Sequence, residues 1–97
     1  MLYTDMSLSY TRSVLRIALL AQAKKALWRM PAAQAMAIRE RLAKLAESPS
    51  RRDLDVKKLK GRSGFRLRVG AWRVIYAIEG DRLTVLRVAP RGEAYKE

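Results

Sequence analysis

The run 65-FRLRVGAWRVIYAIEGDRLTVLRVA-89 constrains the fold more than any other part of the chain. Its first five residues alternate apolar side chains with arginine, and that period of two is the mark of a strand with unlike faces. Phe65, Leu67 and Val69 point one way, and Arg66 and Arg68 point the other. Gly70-Ala71 and Gly80-Asp81 interrupt the run at hairpin spacing, which predicts three strands over 65–69, 72–79 and 82–89. In the middle strand Trp72, Val74, Tyr76 and Ile78 share one face. Ile75 and Ala77 make its second face apolar too, as suits a central strand covered on both sides. A meander of this kind needs a cover for its apolar face.

The N-terminal half supplies one. Residues 13–18 (SVLRIA) are β-branched enough for a strand, after an extended start. From Leu19 the period changes, and Leu20, Ala23, Leu27 and Met30 recur at helical spacing with Lys24 and Lys25 on the other side. Pro31 either closes this helix or opens the next. Over 32–47, Ala35, Ile38, Leu42 and Leu45 form a single stripe, with Arg39, Glu40, Arg41 and Lys44 mainly outside it. Ser48-Pro49-Ser50 ends the helical region. The chain therefore divides into a helical hairpin at about 19–47, a basic connector at 49–63, a meander at 65–89 and a tail at 90–97. The expected architecture is one α+β domain, β-α-α-β-β-β. Its N-terminal strand and αα-hairpin pack on a mainly antiparallel sheet of about four strands.

Composition narrows the chemistry. With 97 residues the chain suits one domain. Its net charge of +12 is the outlying feature, and nine of the basic residues fall between Arg51 and Arg73 against only Asp53 and Asp55. Such a balance calls for a polyanionic partner. The absence of cysteine excludes disulfides, thiolate metal sites and thiol nucleophiles. The absence of histidine removes the commonest metal ligand and the usual proton shuttle at neutral pH. No cofactor is expected. The start lacks the basic and apolar regions of a signal peptide, and the uncharged run 17–23 is too short to span a bilayer. A soluble, cytoplasmic protein is expected.

Several groups carry the possible chemistry. Lys57, Lys58 and Lys60 precede the meander. Arg66 and Arg68 line the polar face of its first strand, with Arg73 on the second strand. Arg87 and Arg91 stand at even spacing on the last strand, and Tyr95 follows near the end. Neighbouring strands would bring the arginines together on one basic surface. Such a set suits cleavage of RNA by its own 2′-OH, with a crowded lysine as base and arginine forks on the developing phosphorane charge. Tyrosine can stack on a base or bond the reacting phosphate. The same residues also fit a solvated loop, an exposed strand face and a frayed end. Trp72 and Tyr76 belong with the core by parity, whereas Trp28 lies off the main stripe, where a partner chain can meet it. Charge and periodicity alone reach a basic α+β domain that binds a polyanion.

The order of these pieces adds more. An amphipathic helical hairpin, then "VKKLKG", then "FRLRVGAWRVIYAIEGDRLTVLRVAPRGEAY" resembles the RelE/ParE superfamily of bacterial toxins, over residues 14 to 95 and most closely over 56–95. The resemblance implies a small α+β toxin neutralised by a cognate antitoxin. In the RelE branch it implies a nuclease that enters the ribosomal A site and cleaves mRNA without metal. Matched by motif, Lys57, Lys58 and Lys60 would bind phosphate, with Lys60 or a neighbour as base. Arg68 would stabilise the phosphorane, Arg91 would stabilise charge or donate a proton, and Tyr95 would orient or stack on the substrate base. Arg66, Arg73 and Arg87 would be supporting phosphate contacts. Pro90 stands where many relatives carry histidine, and the 91–95 segment is short. The ParE branch shares the fold, lacks this catalytic set and poisons DNA gyrase. Arginine at 68 and 91 and tyrosine at 95 favour the RelE branch.

Overall fold

The computed structural model describes residues 14–92. Seven elements follow in order: β1 (Arg16–Leu19), α1 (Ala21–Arg29), α2 (Ala32–Glu47), β2 (Val56–Lys58), β3 (Phe65–Val69), β4 (Trp72–Glu79) and β5 (Arg82–Pro90). The strands form one sheet in the order β1-β5-β4-β3-β2. Three of the pairings are antiparallel, and β1 joins β5 in parallel, with Arg16 opposite Arg82. The expected class holds: α+β, with a helical hairpin on a mainly antiparallel sheet.

The sheet has five strands rather than about four. The added strand is β2, which lies inside the segment read as a connector. Val-Lys-Lys is too short and too charged to show a strand pattern of its own. Its conformation comes from pairing with β3, which sets Val56 opposite Leu67, Lys57 opposite Arg66 and Lys58 opposite Phe65. Lysines on an edge strand also discourage further strand addition.

Local chemistry explains the hairpin of helices. Pro31 takes an extended conformation (φ −55°, ψ 140°) that ends the first helix, and its carbonyl accepts the N–H groups of Gln34 and Ala35 at 3.0 and 3.1 Å. The proline therefore does both jobs left open by the sequence. Ala23 and Leu27 of α1, with Ile38, Leu42 and Leu45 of α2, are buried against Leu67, Val74, Tyr76, Leu83, Val85 and Val88 of the sheet. Each buried aliphatic side chain contributes about 1.5–3 kcal/mol relative to exposure. Phe65 stacks on Tyr76 at the β3–β4 pair, with ring centroids 5.3 Å apart. No helix among the described residues is long and apolar enough to cross a membrane.

Two irregularities position the opposite face of the sheet. The β4–β5 register slips so that Ile75 faces Arg87 while Tyr76 faces Val85, leaving Leu86 as an extra residue. This bulge lets Val85 and Val88, three residues apart, both face the core. It also turns Leu86 toward a second small cluster with Leu59, Ile75 and Ala89, away from the helices. Beyond the end of β1, the β5 edge is closed by a side chain. The Gln22 amide donates to the Val88 carbonyl and accepts the Val88 N–H, both at 2.9 Å.

Candidate functional site

The helix-free face is organised in rows that cross the strands. The β2, β3, β4 and β5 registers align Lys57, Arg66, Ile75 and Arg87 in one row. The adjacent row runs Arg68, Arg73 and Ala89. Asp55 extends that row on the β2 side, since the Arg68 N–H donates to the Asp55 carbonyl at 2.9 Å. Strands lie about 4.8 Å apart, so Lys57 neighbours Arg66 and Arg68 neighbours Arg73, while Arg87 stands one strand further on, beyond Ile75.

Asp55 does more than close a pairing. Its carboxylate holds Arg66 Nη2 at 3.0 Å and Arg68 Nε at 3.2 Å, clamping two arginines that alternate on β3. In the sequence Asp55 stands out only as one of two acidic residues among nine basic ones between Arg51 and Arg73. The available signal was parity, since Asp55 and Lys57 share a face if a strand runs through this segment. Arg68, half exposed, is therefore already partnered.

Arg73 differs. It is only 5% exposed, and neither its Nε nor its Nη1 finds a hydrogen-bond partner among the described residues. Arg66 is 7% exposed, and its Nε is also without a partner there. These arginines are therefore not the solvated row that alternation alone suggests. Buried cationic donors without acceptors are costly, by about 1–3 kcal/mol or more each, and such groups call for an explanation such as a ligand.

The remaining residues divide. Lys57 lies on this face, opposite Arg66, whereas Lys58, one residue on, faces the other way beside Phe65. Lys60 follows in the exposed bend before Gly61. The three lysines are thus not gathered on one side of β2. Arg87 completes the first row. Arg91 follows β5 directly, and its N–H donates to the Ala71 carbonyl at 2.9 Å, which fixes it at the Arg73 end of the sheet. Tyr95 lies outside the described residues. Tyr76 goes to the core, where burial pushes its phenol from 10 up to about 12. Trp72 sits at the margin of that core and donates its indole N–H to Gln34 Oε1 at 2.7 Å. Trp28 is 86% exposed.

Fold and face together define a small basic α+β domain with convergent arginines on the helix-free side of its sheet. The family model for the ParE toxin of type II toxin–antitoxin systems matches residues 17–95. The chain belongs to the RelE/ParE toxin superfamily, and is a toxin of a toxin–antitoxin system with a RelE-like fold. Among solved structures, it is 32% identical to a chain in the archaeal RelE–RelB complex from Pyrococcus horikoshii OT3. That match has a TM-score of 0.72 and covers 81% of this chain and 97% of the other. A chain in the RelB–RelE antitoxin–toxin complex from Methanococcus jannaschii is 28% identical, with a TM-score of 0.67 and coverage of 81% and 95%. A comparison with curated proteins found no match.

Proposed function

We propose that this toxin is an mRNA endonuclease that cleaves on the ribosome by attack of the RNA's own 2′-OH. The observation that carries the reading is the buried guanidinium of Arg73 on the cationic sheet face, whose Nε and Nη1 have no acceptor among the described residues. A phosphate oxygen supplies the acceptor that Arg73 lacks, and the fork geometry of arginine matches it in two bonds.

In the reaction the 2′-oxygen attacks the adjacent phosphorus, its proton passes to a base, and the 5′-oxygen of the next nucleotide leaves with a proton. The products are a 2′,3′-cyclic phosphate and a free 5′-hydroxyl. Arg73 is the main phosphorane stabiliser, the role the family resemblance implies for Arg68, because Asp55 already holds Arg68. Arg66, through the Nε that its pairing with Asp55 leaves without an acceptor among the described residues, and Arg87 bind flanking phosphate oxygens. Among the connector lysines, Lys57 is the best supported as base, since its row contains Arg66 and Arg87. Lys58 and Lys60 are left to outer phosphate contacts, Arg91 adds charge at the Arg73 end, and Tyr95 stacks on the substrate base. The cognate antitoxin is an acidic protein that covers the arginines, consistent with the antitoxin complexes of the Pyrococcus and Methanococcus relatives. Toxin, antitoxin and ribosome meet in the cytoplasm.

A second reading has its own support, because the matching family model is the ParE one. In it the Asp55–Arg66–Arg68 cluster is structural and the toxin binds DNA gyrase. Induced expression with primer extension on cellular mRNA separates the two. The nuclease reading expects ribosome-dependent cuts within codons that vanish in Arg73→Ala and Arg91→Ala. Toxicity with intact mRNA and trapped gyrase–DNA complexes would move the protein to the second reading.

A further inference from the structure

We propose that the cleft between α1 and the far end of β5 is a nucleotide subsite, which takes a neighbouring nucleotide of the same single-stranded RNA. The proposal rests on the RNA reading above and adds a second contact region to it. The cleft encloses about 440 Å³, within the roughly 300–1,000 Å³ typical of pockets for small organic ligands. Lys25 and Arg29, one helical turn apart on α1, stand on one wall and Arg87 on the other, with no carboxylate among the lining residues described. Met30, Pro31 and Trp72 make an apolar floor.

That pairing of cations with an apolar floor that includes an indole suits a nucleotide, whose base stacks while its phosphate meets the charges. An acidic peptide needs the cations but has no use for the aromatic surface. The polar groups nearby are already committed, the Trp72 N–H to Gln34 and the Gln22 amide to the backbone of Val88. The cleft therefore accepts a base by stacking and shape rather than by reading its edge.

Position supports the same occupant. Arg87 and Ala89 line the cleft and also belong to the rows of the cationic face, where Ala89 lies opposite Arg73. Arg87 and Ala89 thus form a shared border, across which an RNA strand held by Arg73 would continue into the cleft.

The test uses the chain's two tryptophans. Trp28 is exposed and does not line the cleft, so Trp28→Phe leaves Trp72 as the reporter on its floor. The full chain is titrated with a 2′-O-methyl tetranucleotide, which lacks the nucleophile and survives. The expected result is saturable quenching of Trp72. Adding Lys25→Ala and Arg29→Ala should weaken binding about tenfold and shallow the salt dependence by about 1.4 in log–log slope, from about 0.7 per phosphate contact. Both side chains are exposed, so the melting temperature should not move.

An unresponsive Trp72, or unchanged affinity and slope in the double variant, overturns the subsite. So does equal quenching by a polyglutamate peptide, which assigns the cleft to an acidic protein. Equal binding of inorganic phosphate reduces it to an anion hole and overturns it as well. Cleavage of mRNA on ribosomes is followed with the same Trp28→Phe protein. If cleavage is absent while Trp72 still reports oligonucleotide binding that the double variant loses, the nuclease reading fails and the subsite stands.

Discussion

Arg73 shows how a single residue can be placed for function against stability. Its guanidinium is buried without a described acceptor, a state that the fold must offset elsewhere. Replacing it with an apolar side chain of similar length removes that penalty. Arg73→Met is expected to raise stability by about 1–2 kcal/mol, read as a higher midpoint in urea unfolding, while lowering cleavage about 10²–10³-fold. Loss of both stability and activity would instead mark Arg73 as structural. Tyr76 gives a second residue-scale expectation. Burial raises its folded pKa to about 12, so above pH 10 the unfolded chain releases the phenol proton while the folded chain keeps it. Stability is then full below pH 10 and falls as pH rises through 12, by up to about 3 kcal/mol. Tyr76→Phe should flatten that alkaline limb in unfolding measured at successive pH values.

At the scale of elements, the loop between β2 and β3 controls where the cationic rows lie. Gly64 has φ +114°, and a Cβ there would stand 3.1 Å from the Tyr76 carbonyl oxygen and 3.4 Å from Leu59 Cδ1. Gly64→Ala is expected to cost about 1–3 kcal/mol in thermal or urea unfolding. It should also reduce cleavage, because a displaced β2 moves Asp55 and Lys57 relative to β3.

The meander was legible in the sequence because its alternation and glycine turns are local, and the hairpin of helices because its stripes repeat over several turns. β2 was not legible, because three residues take their structure from a partner strand rather than from their own pattern. The same gap hid the clamp of Asp55 on Arg66 and Arg68, which exists only once β2 is paired. The bulge at Leu86 was equally invisible, since nothing in Val-Leu-Arg-Val marks which residue is extra. Arg73 was read as a supporting contact because burial of a charged side chain is a property of the packed sheet.

For the whole molecule, charge is the dominant fact. A net +12 chain with a group of its cations on the helix-free sheet face should bind RNA with a strong dependence on salt. With three to four phosphates held, the slope of log affinity against log salt for a 2′-O-methyl RNA is expected near −2 to −3. Arg66→Ala or Arg87→Ala should each shallow it by about 0.7. A flat dependence would mean that the face is not a phosphate site.

The most direct measurement is single-turnover cleavage of mRNA on programmed ribosomes by purified wild type and Arg73→Met, with urea unfolding of both proteins alongside. The account predicts a variant at least as stable as wild type that binds ribosomes and cuts hundreds of times more slowly. A stable Arg73→Met protein that cuts at the wild-type rate would contradict it.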